Sequence, residues 1–293
     1  MKDREMNSIK LKIADIIIQV CSENANVDFV EENASIRFIV KNGEPDLLLK
    51  AHYGEIPDIA LGEEIFNSGS VWKLFSNNNK FIFTLSSPPN AAKPYSIAII
   101  DKDFKNGEIY RAPLNSSSYI PNPLDYPIDE ILMITILSKR KGLLLHSNCI
   151  NDRGFGMLFT GTSGAGKSTM AEIWKGKDGI KVLTDERVII RKENGSFFAY
   201  GTPWHETAKI HSPEKAVLKK IFFIRHGKEN SAKLLDKIDA ASRLMVRAFP
   251  TYWDPEGMNF TLGFASEIIE DIPCYELAFK PDEDIIDFVR GIK

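Results

Sequence analysis

The pattern of apolar and polar positions changes character twice along the chain. Residues 8–20, Ser-Ile-Lys-Leu-Lys-Ile-Ala-Asp-Ile-Ile-Ile-Gln-Val, mix helical spacing with a run of β-branched side chains, so the pattern alone fits a helix or a strand. From residue 35 onward, short alternating or aromatic-rich runs take over. They cover 35–40, 46–52, 71–75, 80–86, 96–101 and 107–112, and Asn-Gly, Gly-Glu, Asn-Asn-Asn, Pro-Pro-Asn and Lys-Asn-Gly turns separate them. This series predicts an antiparallel, β-rich N-terminal module over 1–125, with one short helical element at 63–67. Residues 113–127 hold four prolines, three serines and two asparagines, and this loop-like stretch marks the expected boundary.

A second domain, 126–293, mixes the two periodicities. Residues 128–140 carry Ile, Leu and Met at helical spacing and run into Lys-Arg-Lys at 139–141, which suits the C-terminal end of a helix dipole. Two apolar strands, 143–150 and 155–160, flank a tight turn at 151–154. Further on the pattern predicts a buried strand at 180–183 and a hairpin of 188–191 with 197–200. A polar, aromatic loop at 201–211 follows, then a buried strand at 216–224. Helices at 238–248 and 259–270, a strand at 274–279 and a last helix at 282–290 complete it. The fold class is therefore α/β behind a β-rich module.

Composition narrows the class of protein. The 293 residues are 43% hydrophobic and 26% charged, the balance of a soluble globular chain long enough for two domains. A net charge of −3 and a pI near 6.0 argue against nucleic acid as the main partner. Cys21, Cys149 and Cys274 are odd in number and far apart, which suits a reducing compartment and offers no metal-ligand spacing. The N-terminus lacks the apolar core of a signal peptide, and apolar runs such as 131–137 fall far short of the ~20 residues of a membrane span. The expected location is the cytoplasm, with no membrane partner.

The candidate chemistry centres on 157–170. Within it Gly161-Thr162-Ser163-Gly164-Ala165-Gly166-Lys167-Ser168-Thr169 follows an apolar strand and opens a helix, matching the G-x-x-x-x-G-K-[ST] spacing of a nucleotide phosphate loop. Backbone N–H groups of such a loop wrap phosphates, because glycines adopt the required angles cheaply and the helix that follows adds the positive end of its dipole. Lys167 would reach the β and γ oxygens of ATP, and Ser168 would ligate Mg²⁺. One helix and one strand downstream stand Asp185 and Glu186. A carboxylate at such a strand end can hold the metal or take a proton from an attacking hydroxyl, and the pair suffices for both tasks.

Three pieces in this order, His146 on the strand before the loop, the loop itself, and Leu183-Thr-Asp-Glu-Arg-Val188, resemble the catalytic domain of HPr kinase/phosphorylase. That family of bacterial serine kinases shares its fold with ATP-dependent phosphoenolpyruvate carboxykinase, and the likeness covers about residues 128–225. It implies a P-loop kinase domain in which Asp185 is the base, Glu186 a metal ligand, and His146 a neighbour of the phosphates. It also implies an enzyme that assembles with copies of itself. The chain departs from the family in having Lys-Ser-Thr where Lys-Ser-Glu is usual, Asp185-Glu186 where Asp-Asp is usual, and no Arg-Gly-Leu-Gly-type stretch. Tyr200-Gly-Thr-Pro-Trp-His-Glu206 stands in that place. In these respects it resembles the kinases that accompany peptide-modifying gene clusters.

The expected activity is Mg²⁺-dependent transfer from ATP to a serine of a protein or small peptide, with a small-molecule kinase or a non-catalytic ATP-binding sensor as alternatives. Arg187, Trp204, His205 and Glu206 are candidates for the acceptor side of the site, since an aromatic beside titratable groups in a Gly-Pro loop can orient a substrate. Arg187, Arg243 and Arg247 could stabilise transferred charge. The last two also read as the solvated face of one helix.

Overall fold

A computed structural model describes residues 7–23, 34–87, 93–112, 122–205 and 209–292. The chain divides into two compact units, Met1–Leu132 and Met133–Lys293. The first is almost wholly β. Its strands are β1 (Asn7–Ile13), β2 (Ile16–Ser22), β3 (Ile39–Val40), β4 (Leu47–Tyr53), β5 (Glu63–Asn67), β6 (Trp72–Asn77), β7 (Lys80–Leu85), β8 (Ser96–Asp101) and β9 (Asn106–Arg111). They form one sheet in the order β3-β1-β2-β4-β9-β8-β7-β6-β5.

The ambiguous stretch 8–20 is a β-hairpin. Ala14 and Asp15 at its tip have φ of 50° and 58°, the doubly left-handed pair that matches strand twist. Three expectations for this unit need correction. Residues 63–67 are a strand, because five residues are too few for a stable helix while β6 offers partners at Glu64↔Phe75 and Phe66↔Leu74, and the Phe66 ring packs 5.0 Å from Trp72. Residues 35–40 are mostly a 3-10 turn, Ala34–Phe38, whose buried ends stand four apart; only Ile39 and Val40 pair with β1. The sheet is also not purely antiparallel, since β2 with β4 and β4 with β9 run parallel. Residues 113–121 of the expected boundary lie outside the described residues.

Helix α1 (Ile128–Ser138) contains the division between the units. After it come β10 (Leu143–His146), β11 (Asn148–Asp152), β12 (Phe155–Thr160), α2 (Lys167–Trp174), β13 (Ile180–Thr184), β14 (Arg187–Glu193), β15 (Ser196–Tyr200), β16 (Lys215–His226), β17 (Ser231–Leu234), α3 (Lys237–Met245), α4 (Pro255–Asp271), β18 (Cys274–Phe279) and α5 (Asp284–Gly291). Helix α4 starts earlier than its apolar pattern suggests because Asp254 caps the Glu256 N–H and Pro255 fits the first turn. Strand β16 runs parallel to both β12 and β18 and pairs with each. Their apolar residues alternate between two cores. Leu158, Ile221, Phe223 and Cys274 face α3 and α4. Phe159, Phe222, Ile224 and Tyr275 face α2 and α5. Burial on both faces explains why these strands read as continuous apolar runs.

The expected single strand 143–150 is two strands. Ser147 separates β10 from β11, and only Asp185 and Glu186 separate β13 from β14. Because β10 pairs with β14 and β11 with β13, these are successive stretches of one antiparallel ribbon that breaks on both sides at the same level. The Ser147 N–H still donates to Glu186 O at 2.9 Å. Along the sheet, β10-β14 and β11-β13 nevertheless lie at opposite ends of the order β10-β14-β15-β16-β12-β11-β13. The sheet therefore curls back on itself, with the break as its seam.

Candidate functional site

Strand β12 ends at Thr160 beside that seam. The Thr160 hydroxyl donates to His146 O at 2.9 Å, and the Ser147 hydroxyl donates to Phe159 O at 3.1 Å. Residues 161–166 then turn into α2. Gly164 and Gly166 have φ of 76° and 95°, left-handed angles that side chains resist. Helix α2 opens at Gly166 with no side-chain cap, which leaves its first N–H groups facing the loop. The loop tip, Thr162, Ser163 and Gly164, is exposed, whereas Ala165 and Lys167 are buried. The Ala165 N–H donates to Thr162 O at 3.1 Å, and the Lys167 ammonium reaches back to Gly161 O at 3.4 Å. Ser168 is half-buried and Thr169 exposed.

Two strands away, β13 delivers the acidic pair. Register places Phe159 opposite Asn148, and Thr184 opposite Cys149, so the ends of β12 and β13 flank the start of β11 at about 10 Å, two strand spacings. Asp185 has no exposed surface. Glu186 forms an ion pair with the Arg187 guanidinium at 2.7 Å, and that guanidinium lies 4.5 Å over the Phe249 ring. His146 stands opposite Arg187 in the β10–β14 register. The segment after α3 pairs with β10 as well, since the His146 N–H donates to Arg247 O at 2.8 Å and the Phe249 N–H to Leu144 O at 3.0 Å.

The seam thus gathers cations around one imidazole. Burial first, and then the charges of Lys167, Arg187 and Arg247, hold the His146 pKa down at about 4. Its Nε2 is buried without a hydrogen-bond partner among the described residues. Arg247 is likewise poorly compensated: its Nε is buried without a hydrogen-bond partner among the described residues, and burial together with Arg243 disfavours its charge. Arg243 differs sharply. Asp239 and Glu276 hold it at 2.8 Å on either side. The two arginines are not one helix face, because α3 stops at Met245 and Arg247 lies beyond it. Lys167, Arg187 and Arg247 thus bring three positive charges to bear on the His146 ring.

Other candidates lie around this centre. Trp204 is packed, and its carbonyl accepts from the Thr184 hydroxyl at 3.3 Å. His205 stacks on His211 with ring centroids 5.4 Å apart. The Thr202 hydroxyl donates to Arg187 O at 2.7 Å, so this loop sits over the β13–β14 break. Glu206 lies outside the described residues. Two side chains escaped the sequence reading. Asn148, fully buried, donates to Lys167 O at 2.7 Å, and an asparagine amid an apolar strand was the available signal. His226, at the end of β16, bonds to Gly164 O at 2.7 Å. Among the described residues no group of three or more His, Cys, Asp or Glu could hold a metal by itself. Ser168 and Glu186 each carry an oxygen of the kind that a magnesium ion shared with phosphate oxygens takes from protein, though Glu186 is engaged by Arg187.

Fold and site together define a mixed α/β protein with a strand–glycine loop–helix unit set against a carboxylate pair. The family described as SynChlorMet cassette protein ScmC matches residues 128–279, a little over half of the sequence, and the chain belongs to that family. No curated protein matches it. Among the solved structures, the Hpr(Ser) kinase/phosphatase from Coxiella burnetii is similar at 16% identity over 50% of this chain and 90% of its own. Its TM-score of 0.27 makes that likeness too slight to carry an inference. No helix among the described residues is long and apolar enough to cross a membrane.

Proposed function

We propose that the chain is a Mg²⁺-dependent phosphotransferase that moves the γ-phosphoryl group of ATP to a serine hydroxyl of a protein or small peptide. The observation that carries this reading is the meeting of an uncapped glycine turn, three cations and a carboxylate pair at one seam. In it, residues 161–169 cradle the phosphates through backbone N–H groups, with Lys167 directed at the β and γ oxygens. Ser168 and Glu186 would hold Mg²⁺, which would supply positive charge against the phosphates when bound. Asp185 accepts the proton of the acceptor hydroxyl. Arg187 and Arg247 offset charge on the group in transit, and neutral His146 keeps an anion-accepting edge beside them without adding to their repulsion. The HPr-kinase-like order of these pieces in the sequence supports the choice of serine as acceptor, and the aromatic beside titratable groups in the Gly-Pro loop supports Trp204, His205 and Glu206 as its neighbours.

One observation favours a second reading. Asp185 is fully buried and Glu186 already engages Arg187, as suits a protein that binds ATP without transferring from it. Isothermal titration with Mg·ATP, joined to transfer assays on serine peptides and on a metabolite panel, separates these cases. The kinase reading expects Lys167→Ala to weaken binding tenfold or more, and Asp185→Asn to bind normally while losing transfer. Binding without any transfer in the wild type would establish the sensor. Transfer to metabolites alone would make the chain a small-molecule kinase, and full transfer by Asp185→Asn would remove the assigned base.

A further inference from the structure

The glycine turn follows β12, and each strand flanking β12 lends it one side chain. From β11, Asn148 donates to Lys167 O, at the foot of the turn where α2 begins. From β16, His226 meets Gly164 O, at the exposed tip. The tip also has its internal bond from the Ala165 N–H to Thr162 O at 3.1 Å. A carbonyl oxygen can only accept, so the His226 Nε2 must carry its proton, and it does so in the Nε2–H tautomer and in the charged form alike. The ring is fixed from behind, because it stacks on Phe279 with centroids 6.0 Å apart and Phe279 is fully buried in the core under α2. A peptide plane held by its carbonyl cannot rotate, so the direction of the next N–H is set as well.

We infer that His226 is a positioning residue for nucleotide binding: its Nε2–H holds the Gly164 carbonyl outward and keeps the turn in its open form before the phosphates arrive. The role rests on the nucleotide reading above. It is not catalytic, for the imidazole touches the loop backbone and no reacting atom. Pre-ordering of this kind lowers the entropy that a ligand must otherwise spend, so its loss shows in affinity before it shows in turnover. An exposed His at a strand end tolerates replacement, and the test does not depend on a buried residue.

Mg·ATP is titrated calorimetrically into wild type, His226→Ala and His226→Gln, and amide exchange over 162–166 is followed in the nucleotide-free proteins. Gln can place a side-chain N–H near the former Nε2. The expected result is about fivefold weaker binding in His226→Ala, the worth of one neutral hydrogen bond, with faster loop exchange and an unchanged melting temperature. His226→Gln should recover most of both losses. Wild-type affinity and exchange in His226→Ala would overturn the role of His226 alone. Weakening that Gln does not rescue, accompanied by a lower melting temperature, would also overturn it and leave only a packing role. Absence of Mg·ATP binding in the wild type would instead overturn the nucleotide reading, and this role with it.

Discussion

Two glycines of the same turn should respond very differently to a single added methyl group. At Gly166, φ is 95°, and a Cβ would lie 2.7 Å from Phe279 Cζ and 3.1 Å from Cε1. Phe279 cannot step aside, since it is fully buried in the core beneath α2 and α5. At Gly164, φ is 76°, but a Cβ would meet nothing within 4 Å. Left-handed backbone costs an L-residue about 1–2 kcal/mol at either place, and overpacking a fixed core adds roughly 1–3 kcal/mol. Alanine also restricts the unfolded chain and recovers roughly 0.4–1 kcal/mol at both positions. Gly166→Ala should therefore lose about 1–4 kcal/mol, and Gly164→Ala about 1 kcal/mol. Urea denaturation of the two variants beside wild type, with equal m-values, reads the difference directly. If Gly164→Ala proves as damaging as Gly166→Ala, the turn is not braced against Phe279 and the argument for a rigid cradle fails. If the order holds, Mg·ATP titration of the folded Gly164→Ala protein shows how much of the cradle is the angle itself.

The remaining predictions concern the cations. Because the folded His146 pKa is depressed to about 4, the unfolded chain takes up a proton near pH 6.5 that the folded chain refuses. Stability should then be intact above pH 6.5 and fall by up to roughly 2–3 kcal/mol, allowing for partial exposure, as the pH drops from 6.5 to about 4. A urea-midpoint profile for His146→Gln should lack that slope, and parallel profiles would refute the assignment. Arg247→Met should reduce phosphoryl transfer tenfold or more and raise the His146 pKa seen by NMR, since one of its repelling charges is gone. Arg243→Met should do neither, losing about 1 kcal/mol of stability with its Asp239 and Glu276 contacts. Equal loss of transfer in both variants would return Arg247 to the role of a surface charge.

Local signals in the sequence carried as far as local physics reaches. The turn at 151–154 depends on neighbours in the chain, and it forms with Arg153 and Gly154 at φ of 54° and 96°. The strand, glycine turn and helix around Gly161 to Lys167 were legible for the same reason. What could not be read was decided by partners distant in sequence. Residues 63–67 became a strand only because β6 supplied a ladder. Arg243 and Arg247, four apart and alike on paper, parted because α3 ends between them and the chain after it pairs with β10.

The seam shows why the centre of the candidate site was the least visible part. Nothing in Leu-Leu-Leu-His-Ser-Asn-Cys-Ile announces a break, since both halves are good strand sequence. The break arises because the ribbon must serve two ends of one curled sheet, and a ladder cannot stay regular while it passes between them. At that point Ser147, Asp185 and Glu186 leave regular pairing, and their neighbours His146, Asn148 and Arg187 stand at strand ends rather than within strands. Polar side chains fully buried there, Ser147, Asn148, Thr184 and Asp185 among them, would weaken a core of ordinary apolar design. Their cost is offset by hydrogen bonds that tie β12, the glycine turn and the acidic pair into one network, from Thr160 to His146, Ser147 to Glu186 and Asn148 to Lys167. A single topological necessity, closing the sheet, thus brings the glycine turn and the carboxylates to the ends of the two strands that flank β11, and the same necessity hides that meeting from any reading confined to neighbours along the chain.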